Sequence, residues 1–209
     1  VLVKEVVIEP NVKLECVPKF CYLGDTLGAG GGVEEAARAR VRCAWAKFKE
    51  LSPILTARGA SYRIKGKIYK ACVQSVLTYG TETWAMKKAN LQSLERTERM
   101  MVRWMCGVSL KDRKCSVDLY SLLRVQSVAE VVRRGRLRWF GHVERKSGDD
   151  WVSACRNVVV AGVRCAGRGR KTWRECVKDD MEELGLHPEW VVFRDMWRDL
   201  ISGKTSDPS

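Results

Sequence analysis

Two short stretches rich in Val, Ile, Leu and Tyr open the chain, VLVKEVVIEP (1–10) and VKLECVPKFCYLGDTL (12–27), with a break at Pro10-Asn11. Such runs bounded by turn formers predict short strands, paired as a hairpin. After GAGGG (28–32) the apolar period changes. Val33, Ala37, Val41, Ala44, Trp45, Phe48 and Leu51 recur at helical spacing and predict a long helix to about Ala57. A second helix is expected from Tyr62 to Tyr79, with Ile64, Ile68, Ala71 and Cys72 inward and Arg63, Lys67 and Lys70 along the opposite side. A third runs from Asn90, its expected cap, to about Cys106, with Leu91, Leu94, Met101, Val102 and Met105 as its apolar side. Three helices with short joints predict an antiparallel bundle.

Beyond Gly107 the chain is polar to Val117 and then turns helical again, first near 117–124 and then from Ser127 to Lys146. Ser127 with Glu130 three residues on is a capping-box signature. In that helix Val128, Val131, Val132, Gly135, Trp139, His142 and Val143 fall in one stripe, which places Trp139 and His142 core-facing or half buried. SGDD (147–150) ends it, an extended piece is expected over 158–163, and RCAGRGRK (164–171) reads as a basic linker. Helices at 171–184, stopped by Gly185, and at 188–202, with Pro188 in its first turn, finish the ordered part before the tail. The fold class expected is mainly α, a short N-terminal β-hairpin followed by a three-helix bundle and a further helical C-terminal segment.

Charge sharpens this picture. Thirty-eight Lys and Arg against 25 Asp and Glu leave a formal net charge of +13. A surplus of that size points to a polyanionic partner, nucleic acid before anionic membrane. No apolar run reaches the roughly 18 residues of a membrane span, and no secretory leader pattern opens the chain, so the expectation is an intracellular protein, cytoplasmic or nuclear, with no membrane partner. Nine cysteines, an odd number in varied contexts, read as reduced thiols rather than a disulfide framework. Val1 falls within a strand-like phrase and is not Met, so the sequence reads as a fragment.

Several motifs suggest chemistry at first sight. Gly148-Asp149-Asp150 resembles a metal-binding carboxylate pair, but its flanks, RKS and WVSACR, are not the apolar strands such a pair requires, and it reads as a loop. Asp179-Asp180 sits in a helix, where neighbours diverge by about 100°. GAGGG lacks a following Lys-Ser/Thr and opens on Glu34 and Glu35, which repel phosphate. Cys16 and Cys21 stand as a single pair, and His142, Cys155, Cys165 and Cys176 are separated by nine to twelve residues, a weak signal for a zinc motif beside the reading of buried or incidental thiols. No catalytic residue and no metal ligand is assigned. The basic side chains remain: twelve Arg and Lys against five acids over 127–175, with Arg134, Arg138 and Arg145 along one flank of a helix. Guanidinium forks match phosphate oxygens, so this region is expected to contact nucleic-acid backbone.

Five phrases in order, KFCYLGDTL (19–27), KGKIYKACVQSVLTYGTETW (65–84), LERTERMMVRWMCGV (94–108), RLRWFGHVER (136–145) and GRGRKTWRECVKDD (167–180), carry a resemblance over nearly the whole chain. It resembles the C-terminal part of the reverse transcriptase of LINE-type non-LTR retrotransposons. The resemblance implies a palm remnant over 1–28, a thumb over 29–109, a post-thumb basic helical region over 110–202 and a disordered tail over 203–209. It carries the primer-grip role onto Phe20, Tyr22, Leu23 and Gly24, with Cys21 where Lys is usual, and places Gly169 where Pro is common. The catalytic Asp residues, which use Mg2+ in the parent polymerase, would lie before Val1, so this fragment is expected to be inactive and to bind no cofactor of its own. The implied partners are an RNA/DNA template–primer duplex or RNA, and the remainder of the reverse transcriptase. The implied nucleic-acid contacts are the four primer-grip residues, Arg63, Lys67 and Lys70 on the thumb, and Arg134, Arg138, Arg145, Arg168, Arg170 and Lys171 behind it. Read from the residues alone, a stand-alone nucleic-acid-binding or interaction module and a structural zinc protein stay open.

Overall fold

The computed structural model describes residues 5–9, 12–28, 32–146, 148, 150–157, 169 and 171–203. The extended piece expected over 158–163, Asp149, Arg168, Arg170, Cys165 and the tail from Lys204 lie outside the described residues. The described part is mainly helical with β structure at its N-terminal end. Where one hairpin was expected there are two. β1 (Glu5–Glu9) pairs antiparallel with β2 (Val12–Glu15), and β3 (Lys19–Tyr22) with β4 (Asp25–Gly28). Pro18, which lacks an N–H for a strand ladder, lies between the two pairs.

The bundle follows as α1 (Glu34–Leu55), α2 (Tyr62–Ile68), α3 (Ser75–Leu77) and α4 (Lys88–Cys106). Between α2 and α3 the helix continues without a break as a π-helical stretch, Tyr69–Gln74, which the apolar period did not reveal. α4 begins two residues before Asn90, with Lys87 at its cap position. Asn90 is therefore not the expected cap but lies buried inside the first turn. α5 (Ser116–Leu123) and α6 (Val128–Glu144) come next, and the Ser127–Glu130 capping box forms as read, with Glu130 N–H donating to Ser127 Oγ at 3.3 Å. α7 (Trp151–Asn157) was missed. Asp150 starts it, accepting from the Val152 N–H at 3.0 Å and pairing with Lys146 at 2.8 Å. α8 (Trp173–Leu184) ends at Gly185, and the helix expected over 188–202 divides into a 3-10 turn, Pro188–Val192, and α9 (Arg194–Ile201).

Two hydrophobic cores result. The first joins α1, the α2–α3 helix, α4, α5 and the start of α6 around Phe48, Tyr69, Leu77, Leu94, Met101 and Leu123. Gly66 permits the closest approach there, because a Cβ at that position would stand 1.9 Å from the Leu123 carbonyl oxygen of α5. The second core packs Leu137 of α6 against Val177 and Met181 of α8 and Trp197 and Ile201 of α9. Helix α6 thus belongs to both, and its buried side changes along its length. Val128 and Val132 face the first core, and Leu137 and Gly141 face the second, roughly a third of a turn or more around the axis. A single stripe extrapolated from Val128 runs off the end of the first core. For that reason Trp139 and His142, expected to be core-facing or half buried, stand at the surface instead: His142 is exposed and Trp139 is 38% exposed.

Candidate nucleic-acid interface

The β3–β4 hairpin is short, and Tyr22 pairs directly with Asp25, so Leu23-Gly24 forms a two-residue turn with positive φ at both positions, 49° and 80°. Such turns match strand twist, and Gly at the second position fits them, but Leu at the first is unusual. Outside contacts hold it there. The Tyr79 hydroxyl donates to the Leu23 carbonyl at 3.0 Å, and Arg40 donates to the Gly24 carbonyl while its guanidinium lies 4.4 Å from the Tyr79 ring centre. The Trp84 indole donates to the Asp25 carboxylate at 3.1 Å, and Lys19 pairs with Glu35 at 2.8 Å, holding the Glu35 carboxyl below its ordinary range. The hairpin is thereby fixed to α1 and to the segment after α3. Phe20 and Tyr22 share one face, stacked at 6.4 Å between ring centres and 56% and 58% exposed, with Leu23 and Leu27 exposed beside them. Gly24 shapes the turn and Leu23 caps it.

On the second helix Arg63, Lys67 and Lys70 are all exposed, and among the described residues none of them makes an ion pair. Lys65, by contrast, turns inward and donates to the Met105 carbonyl at 2.9 Å, at the C-terminal end of α4 where a cation complements the helix dipole.

The basic side chains of α6 divide. Arg136 is buried and pairs with Asp180 of α8 at 2.8 Å, Arg133 pairs with Glu183, and Arg134 is half-buried on the flank. Arg138 and Arg145 reach a common cleft of about 520 Å³ between α6 and α9, whereas Arg134 does not line it. Arg145 is fixed there by donating to the Val191 carbonyl at 2.9 Å. The opposite wall brings Arg194 and Arg198 of α9, and Trp139 and His142 stand in the same cleft, 5.4 Å between ring centres. Glu82 is the acid that lines it. Gly141 lets α9 come this close: a Cβ there would lie 2.6 Å from the Trp197 indole nitrogen, which donates to the Leu137 carbonyl at 3.0 Å. Arg194 and Arg198 were absent from the sequence-derived set. Their i, i+4 spacing was a faint signal, but nothing local joins them to α6, some fifty positions earlier. Lys171 pairs with Asp179 at 2.5 Å, so it is committed within the fold.

For the zinc alternative, Cys176 is buried, donates its thiol to the Met86 carbonyl at 3.5 Å and is pushed up in pKa by burial, while Cys155 is exposed. Among the described residues no group of three or more His, Cys, Asp or Glu is arranged to hold a metal ion. Nor is any helix among them long and apolar enough to cross a membrane.

Comparison with known proteins adds one relative. Over 147 residues the chain is 26% identical to an uncharacterized transposon-derived protein of Caenorhabditis elegans, a match covering 68% of this chain and 52% of that protein. The chain therefore spans about half the length of the curated relative it matches. No protein-family model and no solved structure matches it.

Proposed function

We propose that the chain is the C-terminal part of a LINE-type retrotransposon reverse transcriptase that grips an RNA/DNA template–primer through its backbone, with the polymerase chemistry supplied by a palm preceding it. The observation that carries this reading is the row Arg63, Lys67 and Lys70, three exposed cations without a partner acid among the described residues. Exposed rows of this kind suit phosphates, because the ions condensed on the duplex are released when Lys and Arg replace them. Two further observations support it. The relative in Caenorhabditis elegans is described as transposon-derived, and the KFCYLGDTL phrase forms a rigidly fastened hairpin that presents Phe20 and Tyr22 outward, as a primer-gripping element would. Backbone contacts fix position without reading bases, so binding is expected to be weakly sequence-specific.

Changing Arg63, Lys67 and Lys70 together to Gln tests the reading. The variant should keep the wild-type melting temperature, since all three side chains are exposed, yet bind an RNA–DNA hybrid more weakly, with a slope of log affinity against log salt reduced by up to about three. A variant that binds the hybrid as the wild type does, with the same slope, would remove this row from the interface.

A further inference from the structure

The cleft between α6 and α9 differs in kind from the α2 row. The row is open and lies on one helix, whereas the cleft is concave, draws its walls from two helices and contains a partly exposed aromatic pair, Trp139 with His142. Its volume of about 520 Å³ lies in the range of pockets that enclose small ligands, too confined for the side of a duplex. Arg138, Arg145, Arg194 and Arg198 line it against the single carboxylate of Glu82. Of these, Arg145 is held by the Val191 carbonyl and Arg198 shares Asp195 at 3.3 Å and Asp199 at 3.8 Å, which leaves Arg138 and Arg194 as the less committed cations. Four guanidinium groups exclude a cationic occupant, which an aromatic pair alone could otherwise attract. A planar anion suits both features at once. Gly135 leaves its part of the wall open, since a Cβ there would meet nothing within 4 Å.

We infer that this cleft binds an unpaired nucleotide of single-stranded nucleic acid, with the base stacked on Trp139 and the flanking phosphates on Arg138 and Arg194. The inference rests on the nucleic-acid reading above and adds to it a second site for unpaired strand. Bases flipped out of a helix or lying in a single strand expose a π-face, and aromatic side chains beside a basic groove are the usual receivers of it. An acidic peptide would satisfy the arginines but would leave the Trp139–His142 face without a partner. Arg145 is a positioning residue: its bond to Val191 ties the end of α6 to the turn that precedes α9.

The test measures binding of labelled oligouridylate, oligothymidylate and an RNA–DNA hybrid by the full chain and by Trp139→Ala, Trp139→Phe and Arg138→Gln. Stacking on an aromatic contributes about 1–3 kcal/mol per base, so Trp139→Ala should weaken single-strand binding by about 5- to 150-fold. Trp139→Phe should restore most of it, Arg138→Gln should lower it and flatten its salt slope, and hybrid binding by Trp139→Ala should stay near wild type. The two single strands distinguish RNA from DNA as the source, and Trp139 dependence with either supports the site. Trp139→Ala that leaves single-strand binding unchanged, or that weakens single strand and hybrid equally, overturns it. So does polyglutamate that displaces oligouridylate as effectively as unlabelled oligouridylate does, which would assign the cleft to acidic polypeptide. A wild-type chain that ignores the hybrid but binds single strands through Trp139 would sink the template–primer reading and support this one.

Discussion

At Glu98 one buried carboxylate meets four donors from three other elements. Tyr69 at 3.2 Å and Gln74 at 2.9 Å donate to one oxygen, and Tyr120 at 3.2 Å and the Val128 N–H at 2.6 Å donate to the other. Tyr69 and Gln74 are five residues apart and would point about 140° from each other on an α-helix. The π-helical stretch between α2 and α3 turns both toward Glu98, a local reason for the irregularity. The Val128 N–H is one of the unpaired donors at the start of α6, so the carboxylate also caps that helix. Glu98→Ala would leave the Tyr69 hydroxyl and the Val128 N–H buried without that partner and open a cavity, whereas Gln74 keeps the Gln126 carbonyl at 2.7 Å, and it should lower stability by about 3–5 kcal/mol in denaturant unfolding. An unchanged unfolding midpoint would show that the cluster does not hold the first core together.

At the scale of elements, the Arg136–Asp180 pair joins α6 to α8, and burial, opposed by Arg136 and Arg133, pushes the Asp180 carboxyl from 3.8 up to about 6. Burial also raises Glu98 above 4.5. A carboxyl raised on folding binds its proton more tightly in the folded state, so stability is highest below the unfolded value and falls as pH rises through the folded one. Glu35, Asp112, Asp150 and Glu175 are lowered by their partners instead and act below their unfolded values of 3.8 to 4.5, where surface pairs count for little. Between about pH 4 and pH 6 the raised groups decide the sign. Unfolding free energy should decline there by about 2–3 kcal/mol from Asp180, and Asp180→Asn should show a shallower decline. A variant with the wild-type pH slope would contradict this.

The same elements show what a local pattern can and cannot reveal. The periods of α1, α4 and α6 and the Ser127 cap were legible because each depends on residues within a few turns. The buried side of α6 was not, because it is set by which core lies beside each half of the helix, and so Trp139 and His142 were turned the wrong way. α7 was hidden behind the turn-forming GDD, and the apolar pattern of 1–27 was read as a single hairpin although Pro18 breaks it into two pairs, the second of which only the family resemblance implied. Of the candidate contacts, the row Arg63, Lys67 and Lys70 was legible from helical period as an outward face, while Phe20 and Tyr22 were singled out only through the family resemblance. The α9 wall of the cleft, Arg194 and Arg198, depends on tertiary docking through Gly141 and Trp197.

Among the described residues two cores share one helix, and the chain carries a formal net charge of +13. The aromatic hairpin and the uncompensated basic row lie outside the cores, and the aromatic-arginine cleft opens against the edge of the second one, where Trp197 and Ile201 form part of its lining. The central claim is that this surface grips nucleic acid by its phosphates. Its most direct test is a salt titration of binding between the chain and an RNA–DNA hybrid. The account predicts tight binding at low salt and a log–log slope of about −3 or steeper. No binding at low salt, or an affinity that stays flat as salt rises, would contradict it.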